Sequence, residues 1–146
     1  MKIGIANDHA ATEMKFAVKK YLEDKGYEVV NYGTDSTGSY DYPIAGETLG
    51  RHIMAGDVDL GIAICGTGGG ISIACNKVKG IRAVCCSDVK TAGLIREHNN
   101  AQIIAFGARI VGIETAKAIV KTWLCTEFAG GRHERRIGKI SDYECR

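Results

Sequence analysis

Residues 60–76, LGIAICGTGGGISIACN, run an apolar strand into Cys65 and on into a glycine-rich loop that opens a helix. Glycines let successive backbone N–H groups turn toward one point, and a helix N-terminus adds positive potential, so Gly66, Gly68, Gly69 and Gly70 can cradle a phosphate, an enediolate or another oxyanion. A thiol at the strand end sits in that field, where its ionised form is favoured. The sequence thus offers a base or nucleophile beside an anion hole.

Familiar phosphate motifs do not fit this loop. A P-loop carries a lysine and a hydroxyl residue after its last glycine, whereas Gly70 is followed by Ile71-Ser72. A dinucleotide fingerprint follows the first strand and ends in glycine; this loop follows the third strand and has Ile71 at that place. A cysteine phosphatase needs an arginine closing the loop, and none lies between Cys65 and Arg82. His9, His52, His98 and His133 show no ligand spacing, so no metal is expected.

The elements that must position Cys65 alternate between strand and helix. Apolar runs at 3–6, 28–32, 57–65, 82–86 and 103–106 read as strands. Helical spacing follows each: Met14 to Leu22, a helix started by Tyr42-Pro43, one after Gly70, one over 89–98, and a stripe from Ile113 to Leu124. A further helix is expected beyond Gly130-Gly131. Strands apolar throughout, alternating with helices, predict an α/β, Rossmann-like three-layer sandwich: a mostly parallel five-stranded sheet with helices on both faces. Ligands of such sheets bind beyond the carboxyl strand ends, which puts Asp8-His9, Cys65, Asp88 and Arg109 on one rim.

At 146 residues the chain suits a single domain, 1–146. A net charge of +2 gives no global electrostatic case for nucleic acid or a membrane surface. The start of the chain has no secretory pattern and no apolar run spans a bilayer, so a cytoplasmic protein is expected. The six cysteines form no Cys-x-x-Cys pair and read mostly as small buried apolar side chains.

Taken together, Asn7-Asp8-His9-Ala10, Asp41-Tyr42-Pro43, Cys65 to Gly70, His98-Asn99-Asn100-Ala101, Gly107-Ala108-Arg109 and Gly130 to Arg136 resemble type B ribose-5-phosphate isomerase over essentially the whole chain. The wider family includes enzymes acting on galactose and allose 6-phosphates.

The resemblance implies an aldose–ketose isomerase without metal or cofactor, interconverting ribose 5-phosphate and ribulose 5-phosphate through a cis-enediolate, with Cys65 as base. Thr67 either bonds the thiol or caps the next helix. His98 assists ring opening, Asn99 handles the O1/O2 side, Asp8 positions the sugar hydroxyls or takes part in the opening, and Tyr42 positions the substrate. Arg132 and Arg136, four apart on one helix face, hold the phosphate with His9 and Arg109. It further implies a homodimer or dimer of dimers with shared sites, the segment from about 131 packing on a partner. Two other readings compete: an isomerase of a six-carbon aldose 6-phosphate, and a sugar-phosphate- or nucleotide-binding module without chemistry, in which the glycine loop only grips phosphate.

Overall fold

A computed structural model describes residues 1–146. The strands are β1 (Lys2–Asn7), β2 (Glu28–Asn31), β3 (Leu60–Cys65), β4 (Ala83–Cys85) and β5 (Ile103–Gly107). They alternate with α1 (Thr12–Asp24), α2 (Tyr42–Met54), α3 (Gly69–Asn76), α4 (Val89–Asn99) and α5 (Ile113–Cys125), and α6 (Arg132–Tyr143) closes the chain. The sheet runs β2-β1-β3-β5-β4. Every pairing is parallel, where the sequence predicted mostly parallel. The third strand starts at Leu60 rather than Asp57. The Asp57 carboxylate lies 2.7 Å from His52 Nδ1 and that of Asp59 accepts the Lys2 N–H at 2.8 Å, so both serve the turn before the strand.

Strand alternation sorts side chains by size. Ile3, Ile5, Leu60, Ile62, Ile64, Ile104 and Phe106 face the layer of α1, α4 and α5, where Trp123 is wholly buried. Full burial of such side chains contributes about 1.5–3 kcal/mol each. The Trp123 indole N–H lacks a partner, which costs about 1–3 kcal/mol against that gain. Gly4, Ala6, Gly61, Ala63, Cys65 and Ala105, with Ile103 as a large exception, line the opposite face, under α2 and α3. Small residues let these helices approach: a Cβ on Gly4 would meet Leu49 Cδ1 at 2.6 Å, and one on Gly46 would meet Ala74 Cβ at 2.9 Å. The glycine loop at the head of α3 is therefore clamped to the sheet through α2.

Cys65, Cys75 and Cys86 are buried, whereas Cys85, Cys125 and Cys145 are exposed, so only half fit the expectation of buried cysteines. The exposed ones sit where elements end: on the short edge strand β4, at the last residue of α5, and after α6. No helix is long and apolar enough to cross a membrane.

Candidate active site

Cys65 ends β3 pointing into the α2/α3 layer, 3% exposed. The Gly68 N–H donates to its Sγ at 3.1 Å. That amide is aimed by a φ of +84°, and a Cβ on Gly68 would meet the Phe106 backbone at 2.7 Å, so conformation and space both require glycine. Thr67 Oγ1 accepts the N–H of Gly69, the first residue of α3, at 3.2 Å, and the donor on the sulfur belongs to Gly68. Burial pushes the neighbouring Cys75 thiol up to about 12 and Cys86 to about 11, which keeps both neutral near pH 7.

Around the loop the rim carries polar groups from other strand ends. A Cβ on Gly66 would lie 2.9 Å from Arg109 Nη1, so that exposed guanidinium rests over the first glycine of the loop. The Tyr42 ring covers Gly70, whose Cβ would come within 2.6 Å of it. Asp8 caps the turn His9–Ala11, accepting the Ala10 N–H at 3.0 Å. The Tyr40 backbone meets His9 Nδ1 with both its groups: the N–H lies 3.0 Å from Nδ1 and the carbonyl oxygen 3.2 Å from it. Asp88 is a helix cap: its carboxylate accepts the Thr91 N–H at 2.7 Å, and that bond holds it below the usual carboxylate range. Two hollows lie away from this loop: one of about 630 Å³ is lined by residues that include Pro43, Met54 and Lys77, and one of about 460 Å³ beside α6 is lined in part by Asn99. In the loop itself Thr67 is exposed, Gly69 and Gly70 are half-buried, and Gly66 and Gly68 are buried.

His98, Asn99, Arg132 and Arg136 are not on this rim. α4 starts at Val89, just after its cap Asp88, beyond the carboxyl end of β4 and returns to the amino end of β5; its 11 residues span about 16 Å. His98 and Asn99 therefore sit at the far end of the sheet from Cys65. There they meet the start of α6: His98 stacks on His133 with ring centroids 4.4 Å apart, and Arg132 and Arg136 are exposed beside them. Burial first, then His98 and the two arginines, lower the His133 pKa. Gly130 and Gly131, at φ of +65° and +57°, make the turn into α6. Each chain thus carries two clusters of candidate residues, one at each end of its sheet. No group of three or more His, Cys, Asp or Glu side chains is arranged as metal ligands.

Two arginines missed in the sequence hold the second cluster. Arg82 donates from Nε to the Asn99 carbonyl at 2.9 Å and from Nη2 to that of Asn100 at 3.0 Å. Arg96 Nη1 reaches Asn100 Oδ1 at 2.9 Å and the Ala101 carbonyl at 3.0 Å. Asn100, at φ +45°, is the left-handed cap of α4, so His98 and Asn99 are its last helical residues. The available signal was the Asn99-Asn100 pair at a helix end, where orphan carbonyls require donors.

Comparison with known proteins agrees over nearly the full length. The family model described as Ribose/Galactose Isomerase matches residues 3–140. Ribose-5-phosphate isomerase B of Escherichia coli K12 is 45% identical over 145 residues, 99% of this chain and 97% of that one. The structure of Clostridium thermocellum ribose-5-phosphate isomerase B superposes with a TM-score of 0.97 at 49% identity, covering 99% and 97% of the two chains. That of Mycoplasma genitalium ribose-5-phosphate isomerase B with bound ribulose-5-phosphate gives 0.93 at 39% identity over 98% and 95%. The chain belongs to the ribose/galactose isomerase family.

Proposed function

We propose that this enzyme interconverts D-ribose 5-phosphate and D-ribulose 5-phosphate, with Cys65 as the base. The Cys65 sulfur accepts the proton from C2 of the opened aldose while the C1 carbonyl becomes the enediolate oxygen. The proton returns at C1, and the hydroxyl proton moves from O2 to O1, leaving the ketose. The observation that carries this reading is the Gly68 N–H on Sγ at the mouth of a glycine loop, in a chain of this family. N–H donors between Gly66 and Gly70 stabilise the enediolate, each well-placed one by about 3–4 kcal/mol.

The second half of the site comes from another copy of the chain. His98, Asn99, Arg132 and Arg136 lie across the sheet from Cys65, and α6 buries only Ile137 against its own chain. A partner that presents this cluster to the glycine loop completes the site: Arg132 and Arg136 bind the phosphate dianion with His9 and Arg109, His98 moves the proton of ring opening, and Asn99 donates to O1 and O2. Asp8 and Tyr42 position the sugar hydroxyls. The deciding experiment compares kcat/KM of the purified protein on ribose 5-phosphate, allose 6-phosphate and galactose 6-phosphate. The pentose is expected to lead by about tenfold or more; a faster hexose phosphate transfers the assignment to that substrate, and no turnover of any leaves only a binding module.

A further inference from the structure

Lys15 is the only basic side chain in the core, with no exposed surface at all. Lysine is almost never fully buried without partners, and in this slot on α1, between Met14 and Val18, an apolar residue would avoid the desolvation cost. Its ammonium donates to the Thr34 carbonyl at 3.0 Å, pairs with the Asp35 carboxylate, and lies 4.1 Å from the centroid of the Phe16 ring. The bond from Lys15 is the leading reason that the Asp35 carboxyl is held below its usual range.

Thr34 and Asp35 belong to one loop, the connection between β2 and α2. Asn7 Nδ2 donates to the same Thr34 carbonyl at 3.1 Å, and Thr12 Oγ1 to the Ser36 carbonyl at 2.8 Å. Three consecutive loop residues are thus fixed by side chains of the first strand and helix. Four residues after Ser36 the loop presents the Tyr40 N–H to His9 Nδ1, and two further on it delivers Tyr42 onto Gly70.

We propose that Lys15 is a positioning residue for substrate phosphate: its buried ammonium pins the loop in the form in which the Tyr40 backbone holds the His9 ring by Nδ1. The inference rests on the reading of His9 as a phosphate ligand. An exposed lysine could not hold the loop in this way, because its ammonium would exchange Thr34 and Asp35 for water at little cost.

The test is Lys15→Met, read by the ¹⁵N resonances of the His9 imidazole and by the split between KM and kcat on ribose 5-phosphate. The wild type is expected to show the His9 ring held in a single tautomer by the Tyr40 backbone. The variant is expected to show mixed tautomers and a KM raised about tenfold, with kcat within about twofold. A folded Lys15→Met protein with an unaltered His9 signature and KM overturns the proposal. Should that variant fail to fold, Asp35→Asn, which changes an exposed side chain, carries the same readouts with a smaller shift expected, and no shift is again contrary. A wild type inactive on ribose 5-phosphate would remove the functional reading while the tautomer comparison still decides the role of Lys15 in holding the loop.

Discussion

The Gly68 amide and the Cys65 sulfur, 3.1 Å apart, are joined by a backbone turn that only glycine makes cheaply, since Gly68 sits at φ +84° against the Phe106 backbone. Gly68→Ala must move either the sulfur's donor or β5. We expect kcat to fall about hundredfold, as for loss of an anion-hole donor. A lower Tm should accompany it. Wild-type kcat in a folded variant would detach this amide from the chemistry.

Arg82→Ala tests whether the turn after α4 matters to the second cluster. Two charged hydrogen bonds to the Asn99 and Asn100 carbonyls are lost, and stability measured by urea unfolding is expected to drop by about 1–3 kcal/mol. Because Asn99 is displaced, kcat should fall as well. Reduced stability with unchanged kcat would make the arginine purely structural.

The shared site predicts complementation. Cys65→Ala spoils the loop half and Arg136→Ala the phosphate half, so a hybrid of the two variants keeps one intact site. Random reassortment of a two-fold dimer makes half the molecules hybrids, and activity at low substrate should recover to about a quarter of wild type. A mixture no more active than its components would place both residues in one chain's site.

Acid should weaken the contact between α4 and α6. Burial first, then His98, Arg132 and Arg136, hold the His133 pKa below its ordinary 6.5. The folded chain therefore takes up this proton later than the unfolded chain as pH falls. The stability contributed by neutral His133 is full above the unfolded value and is lost as pH drops from there toward the folded value. His133→Phe keeps a stacked ring without titrating. The fall in urea midpoint between pH 7.5 and 5.5 should be larger in wild type than in this variant; equal falls would contradict the shift.

The sheet was legible because strands such as Ile62–Ile64 are apolar throughout, which only burial on both faces explains. Strand ends were less so: Asp57 and Asp59 extend an apolar run in sequence but are drawn off by His52 and the Lys2 amide. Cys65 and its glycines could be found from local spacing, since a strand-loop-helix junction is a contiguous feature. The donor on the sulfur could not, because it depends on the left-handed turn at Gly68 rather than on the more conspicuous Thr67 hydroxyl. Arg82, Arg96 and Lys15 act through contacts 17 to 20 residues away or at a helix end, where one chain of letters gives only a charge. The separation of His98 from Cys65 follows from α4 running antiparallel to the strands, a consequence of topology that motif lists do not display.

The most direct measurement is solvent deuterium exchange during turnover of ribose 5-phosphate in D₂O by the wild type and by Cys65→Ala, with sugar-phosphate binding followed in parallel. Deuterium should enter at the carbon that receives the proton in wild type. It should fall about a thousandfold or more in the variant, the loss expected when a general base is removed, while binding persists. Exchange at the wild-type rate without the sulfur would show that some other group carries the proton.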